Sequence, residues 1–146
     1  MAGFVAGILD ISSAFVLAGI KGRTPIWLLQ YVASGLLGGQ AFSGGFATAA
    51  LGGVLHFLIA LGAATVFYVA TRKLRILMER PVLSGLVYGV AVHAFMSLLV
   101  LPLSAAKVRP TVSGVVTQLI VHMLLIGLPI SLIVRRFSSL SLNQSP

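Results

Sequence analysis

The chain of 146 residues is 58% hydrophobic and 8% charged, with a net charge of +8 and a mean hydropathy of +1.09. Water-soluble domains carry roughly a quarter charged residues and could not hide this much apolar surface, so a soluble globular fold is excluded. So basic a balance would suggest nucleic acid in a soluble protein, but the 10 Lys and Arg residues lie between or after hydrophobic runs, where they read as topology signals and lipid-headgroup contacts.

The first apolar run, 2–20, is about 28 Å long as a helix, enough to cross a bilayer. Its small residues Gly3, Gly7, Ala14 and Ala18 share a face with Asp10, and Ser13 lies beside it. In lipid, helices pair by close backbone approach, so a small-residue face marks the side packed on protein and Asp10 is expected to point inward. A carboxylate at that depth costs a few kcal/mol and is expected to be protonated, paired or facing water. The N-terminus lacks the basic region of a secretory signal, and Asp10 interrupts its apolar region, so this segment is expected to stay in the mature protein.

After Lys21-Gly22-Arg23, Thr24 and Pro25 form an N-cap and a first-turn proline. The helix they start, 25–37, is too short to span and carries Trp27 and Tyr31, which favour the membrane interface. It reads as an interfacial or re-entrant helix. The glycine-rich 34–45 then lets the chain bend sharply. It is not a phosphate-cradling loop, because no Lys-Ser/Thr pair follows and no strand precedes it.

The second span, 45–70, is about 39 Å long and holds no Asp, Glu, Lys or Arg. Gly45, Ala49, Gly52, Gly53, His56, Ala60, Ala63 and Phe67 recur at helical spacing, so His56 sits in a small-residue stripe, while Val54 and Leu58 fall on the opposite, lipid side. The run 71–80, with Arg72, Lys73, Arg75, Glu79 and Arg80, reads as a solvated loop at the headgroups. The third span, 82–103, places Gly85, Gly89, His93 and Ser97 four residues apart, with Gly85 and Gly89 as a packing face. Pro102, Lys107, Arg109 and Pro110 mark a short connection to the fourth span, 112–134, where Gly114, Gln118, His122 and Pro129 share one side. Arg135 and Arg136 are read as ending this helix. Residues 1–137 thus form one transmembrane domain and 138–146 a short polar tail.

The expected fold is all-α: a polytopic four-transmembrane-helix bundle with an additional short helix between the first two spans. With the N-terminus in the cytoplasm, six basic residues (Arg72, Lys73, Arg75, Arg80, Arg135, Arg136) lie inside and four (Lys21, Arg23, Lys107, Arg109) outside, which favours both termini inside. Gly3, Gly7, Gly52, Gly53, Gly85 and Gly89 are the expected helix-packing positions.

Asp10, His56, His93 and His122 each lie about 12 to 17 Å from the membrane face at which their helix starts. One ionisable side chain per span, at one depth and on the inward face, makes a candidate polar centre, with Gln118 beside it. Intramembrane ionisable residues mark ion paths and proton relays, so this centre is expected to handle protons or a small solute; neutral histidines can pass a proton along while Asp10 loads or discharges it. The bland reading is that each histidine bonds a neighbouring helix through a ring N–H. Haem between two histidines would need a slot between facing rings, and no attachment motif is present. A zinc-type site from Asp10 and the histidines lacks HxxxH or HExxH spacing, and the chain has no cysteine, so no metal and no cofactor is expected. Ser12, Ser13 and Ser97 lie in no nucleophile motif, so the chain is not expected to be an enzyme. Membrane lipids, a second copy of the chain or another membrane protein are the expected partners, and nucleic acid is not.

Two internal echoes link the halves. Leu55-His56-Phe57-Leu58-Ile59 resembles Val121-His122-Met123-Leu124-Leu125, and Gly3, Gly7 and Asp10 resemble Gly85, Gly89 and His93 with a one-residue offset. They suggest two parallel helical hairpins, as some small transporters are built.

The runs Gly7-Ile8-Leu9-Asp10-Ile11, Ala33-Ser34-Gly35-Leu36-Leu37-Gly38 and Gly53-Val54-Leu55-His56-Phe57 resemble a group of uncharacterised bacterial four-helix membrane proteins, loosely similar to YagU-like inner-membrane proteins. The likeness covers about Gly3 to Ser104. It implies a bacterial inner-membrane location and assigns no chemistry. At His93, where that group carries an aromatic residue, this chain departs from it, which argues against an obligatory role for His93.

Overall fold

The computed structural model describes residues 1–106 and 111–142, with side chains through residue 138. Lys107, Arg109 and Pro110 of the expected outer connection, and residues 143–146 of the expected tail, lie outside the described residues. Four helices are long and apolar enough to cross a membrane: Ala2–Ile20, Gly45–Lys73, Pro81–Leu103 and Val112–Ser138. A shorter helix, Pro25–Leu37, stands between the first two. Val54 (57% exposed), Leu58 (59%) and Val87 (60%) line the outer surface, as expected of side chains that meet lipid rather than water.

The short helix starts as its sequence dictates: Pro25 occupies the first turn and the Thr24 hydroxyl accepts from the Trp27 N–H at 3.2 Å. The Arg23 guanidinium lies 4.6 Å from the Trp27 ring centroid, and Trp27 stacks on Tyr31 and Phe42. The helix ends at Gly38, whose φ of +61° only glycine adopts without strain, and the 3-10 turn Gly38–Ser43 leads into the second span. The buried Gln30 amide donates to the Gly45 carbonyl at 3.0 Å, so the short helix is tied to the start of that span. The same helix meets the far end of the third span, where the Ala105 N–H donates to the Gly35 carbonyl at 2.8 Å.

Small residues set the helix contacts. A Cβ on Gly3 would stand 2.8 Å from the Ala60 carbonyl oxygen and one on Gly7 would stand 2.9 Å from the Phe57 ring, so the first and second spans touch through glycine. Gly52 lies against the Leu29 carbonyl and Ala33 nitrogen of the short helix, and Gly85 and Gly89 lie against the backbone of the fourth span from His122 to Leu128. Gly53 departs from expectation, because the nearest atom to its Cβ position is Leu29 Cδ2 at 3.9 Å, an ordinary contact. It lies one residue, about 100° of helix, away from Gly52 and off the tight seam. Gly127 was not singled out by spacing, yet it abuts Gly85 and Gly89 directly. The two hairpins then close on each other through Ala2, Ala6, Ala64, Phe67, Ile126, Ile130 and Val134. Ser131, fully buried, donates to the Pro81 carbonyl at 2.7 Å, and the Tyr88 hydroxyl donates to the Ala63 carbonyl.

The sequence reading placed several element boundaries differently. The second span continues to Lys73 and a short helix occupies Ile76–Glu79, so the run expected as a loop is largely helical. The fourth helix continues past Arg135 and Arg136 through Leu142 and takes in the start of the expected tail. Arginine is a good helix former and neither Gly nor Pro follows until residue 146, so the charges end the apolar run without ending the helix. Two spans are also not uniform α-helices: Met96–Val100 and His122–Gly127 are π turns. Pro102 and Pro129 explain both, since each lacks an N–H and its ring crowds the carbonyl four residues back, Leu98 or Leu125, inside the π turn.

Candidate polar centre

The first span's glycines draw it against the second, which brings Asp10 to His56. Asp10 Oδ2 lies 3.9 Å from His56 Nδ1, while His56 Nε2 lies 2.9 Å from the Gly7 carbonyl oxygen. A carbonyl can only accept, so Nε2 carries the hydrogen and the Nδ1 lone pair faces the carboxyl. That atom is where a neutral His56 can gain a proton, and Asp10 is the group beside it. Asp10 is 8% exposed, and its other oxygen, Oδ1, is buried with no hydrogen-bond partner among the described residues. Ser13, which the sequence placed beside Asp10, bonds its backbone carbonyl at 2.8 Å rather than its carboxyl.

Gly89 and Gly127 do for the second hairpin what Gly3 and Gly7 do for the first. His122 Nδ1 lies 2.7 Å from the Gln118 carbonyl oxygen and 3.4 Å from His93 Nδ1, and His93 Nε2 lies 3.4 Å from the Ser97 hydroxyl. The Gln118 carbonyl takes the hydrogen on His122 Nδ1, so the longer contact to His93 Nδ1 is a branch of that same N–H, and a neutral His93 that accepts there carries its own hydrogen on Nε2, toward Ser97. Gln118 therefore enters through its carbonyl rather than its amide. His122 Nε2 is left with its lone pair. The first span packs against the π turn that begins at His122, so the two pairs lie on neighbouring elements of the bundle.

The structure thus brings Asp10 to His56 and His93 to His122. In each half a glycine-bearing helix carries Asp10 or His93 to a histidine of its partner helix. Two participants are absent from the sequence-based set. The Gly7 carbonyl carries no side-chain signal, whereas Ser97 stood at four-residue spacing from His93. The His93 and His122 rings are 5.4 Å apart between centroids, which leaves no slot for a haem between them. Among the described residues no group of three His, Asp or Glu side chains is arranged to hold a metal ion.

Four long apolar helices around such a cluster define a multi-pass helical membrane protein. Compared with family models, curated proteins and solved structures, the chain matches none.

Proposed function

We propose that this protein passes protons across a bacterial inner membrane, both termini in the cytoplasm, through Asp10, His56, His122 and His93, and that it is not an enzyme. The observation that carries the reading is the Asp10 carboxyl, buried at mid-span with one oxygen without a hydrogen-bond partner among the described residues and the other 3.9 Å from Nδ1 of His56. A buried carboxyl and an imidazole so placed can hold one proton between them in either of two positions. His122, His93 and Ser97 supply a second run of exchangeable groups, one helical turn long on the third span. The inner-membrane location rests on the resemblance to YagU-like proteins, and the orientation on six basic residues against four.

A purely structural reading is favoured by one contact, the His56 to Gly7 carbonyl bond that ties the first two spans together. Proton flux in sealed proteoliposomes, driven by a potassium diffusion potential and read with an internal pH dye, separates the two. Asp10→Asn and His56→Leu abolish flux if the cluster is a path, and Asp10→Asn does so with little change in unfolding midpoint. Wild-type flux no greater than in protein-free vesicles, or undiminished flux in Asp10→Asn, leaves only the structural role.

A further inference from the structure

At the arginine-bearing end of the bundle a groove of about 550 Å³ runs between the first, second and fourth spans. Its volume falls in the roughly 300 to 1,000 Å³ range of small-ligand sites. Gly3 and Ala64 keep its floor low, and Leu61, Ile133 and Phe137 form apolar walls. Leu61, Tyr68 and Phe137 are 43%, 44% and 49% exposed, so the groove opens sideways onto the surface that bilayer chains cover.

One wall changes character toward the membrane face. Thr65 and Tyr68 line the groove, and Arg72, one turn further on, donates to the Tyr68 hydroxyl at 3.2 Å. Residues 65, 68 and 72 are spaced by three and four, so hydroxyls lead along one helix face from apolar floor to guanidinium. Arg72 precedes the helix end at Lys73 by one residue, which sets it at headgroup depth. Arg72, Lys73, Arg75, Arg80, Arg135 and Arg136 all belong to this end, and of the chain's two acids only Glu79 does. Basic sites between transmembrane helices at such a face recognise anionic headgroups.

We propose that this groove binds an anionic glycerophospholipid of the surrounding bilayer, one acyl chain between Leu61 and Phe137 and the phosphate on Arg72 beside the Tyr68 hydroxyl. The chain chemistry matches the apolar walls, and the excess of arginine selects the negative headgroup over a zwitterionic one. This site is separate from Asp10 and does not depend on proton movement.

The test uses the full chain in neutral detergent and native mass spectrometry, with phosphatidylglycerol and phosphatidylcholine of identical acyl chains as probes. Wild type retains one phosphatidylglycerol at concentrations where phosphatidylcholine is lost. Arg72→Gln weakens phosphatidylglycerol binding about fivefold, the worth of one basic residue near an anionic surface, and leaves phosphatidylcholine unchanged. Thr65→Phe, at an exposed position on the groove wall, fills the groove and removes the bound lipid, while Arg23→Gln at the opposite end changes nothing. Equal retention of the two lipids by wild type, unchanged binding in Arg72→Gln, or a full complement of lipid in Thr65→Phe would overturn the proposal.

Discussion

Alanine at Gly89 tests whether the polar centre depends on backbone contact between the third and fourth spans. A Cβ there would fall 2.6 Å from the His122 carbonyl oxygen and 2.8 Å from the Met123 nitrogen, with the Met123 Cα nearer still. Ordinary carbon contacts lie at about 3.5 to 4.0 Å, so the helices must part by roughly 1 Å. A gap of that size forfeits about a quarter to a half of the dispersion energy of each contact it opens. Lipid supplies no hydrophobic term to offset the loss. Overpacking costs about 1–3 kcal/mol, and with backbone rather than flexible side chain on the far side the upper end applies, about 3 kcal/mol. The same displacement lengthens the 3.4 Å His93 to His122 contact to roughly 4.4 Å, beyond hydrogen bonding. The assay is unfolding of the full chain in mixed micelles titrated with dodecyl sulfate, for Gly89→Ala, Gly53→Ala and Gly62→Ala. The last two have room, with Leu29 Cδ2 at 3.9 Å from one and nothing within 4 Å of the other, so they should be neutral or slightly stabilising. A cost for Gly89→Ala no larger than for Gly53→Ala would refute the packing argument and the geometry of the second histidine pair with it.

Three further outcomes are expected. Ser131→Ala and Tyr88→Phe each remove one cross-helix hydrogen bond and should cost about 0.6 kcal/mol, at most about 1.7, in the same micelle titration, because the abandoned carbonyls keep their helical partners. Single cysteines at Lys21 and Arg75, introduced into a chain with no native cysteine, should react with an impermeant maleimide from outside at position 21 and not at position 75; the opposite pattern inverts the orientation. Burial raises the Tyr31 phenol above its ordinary value of 10, so its neutral form is favoured by folding; that stability is present below pH 10 and lost as pH climbs through the raised value. An absorbance titration of wild type against Tyr31→Phe should therefore show a phenol component that ionises above pH 10 in wild type and is missing from the variant.

Much of this protein follows from local chemistry. Length and apolarity require four spans, Thr24-Pro25 starts the short helix, and the recurrence of Gly3, Gly7, Gly85 and Gly89 identifies the faces that pack, because in lipid a small residue has one common use. Helical periodicity likewise sends Asp10 and the three histidines inward. What periodicity cannot supply is rotation and partner. Gly52 and Gly53 are equivalent in composition and adjacent in sequence, and only the approach of Leu29 decides that the first is a contact and the second is not. The prolines are visible at 102 and 129, but a lost N–H can yield a kink, a break or a π turn, and only the folded chain shows π turns at Met96–Val100 and His122–Gly127. The pairing of Asp10 with His56, and of His93 with His122, depends on those rotations. So do the ring tautomers, which are set by the carbonyls of Gly7 and Gln118, since backbone acceptors are present at every residue and only tertiary structure chooses among them.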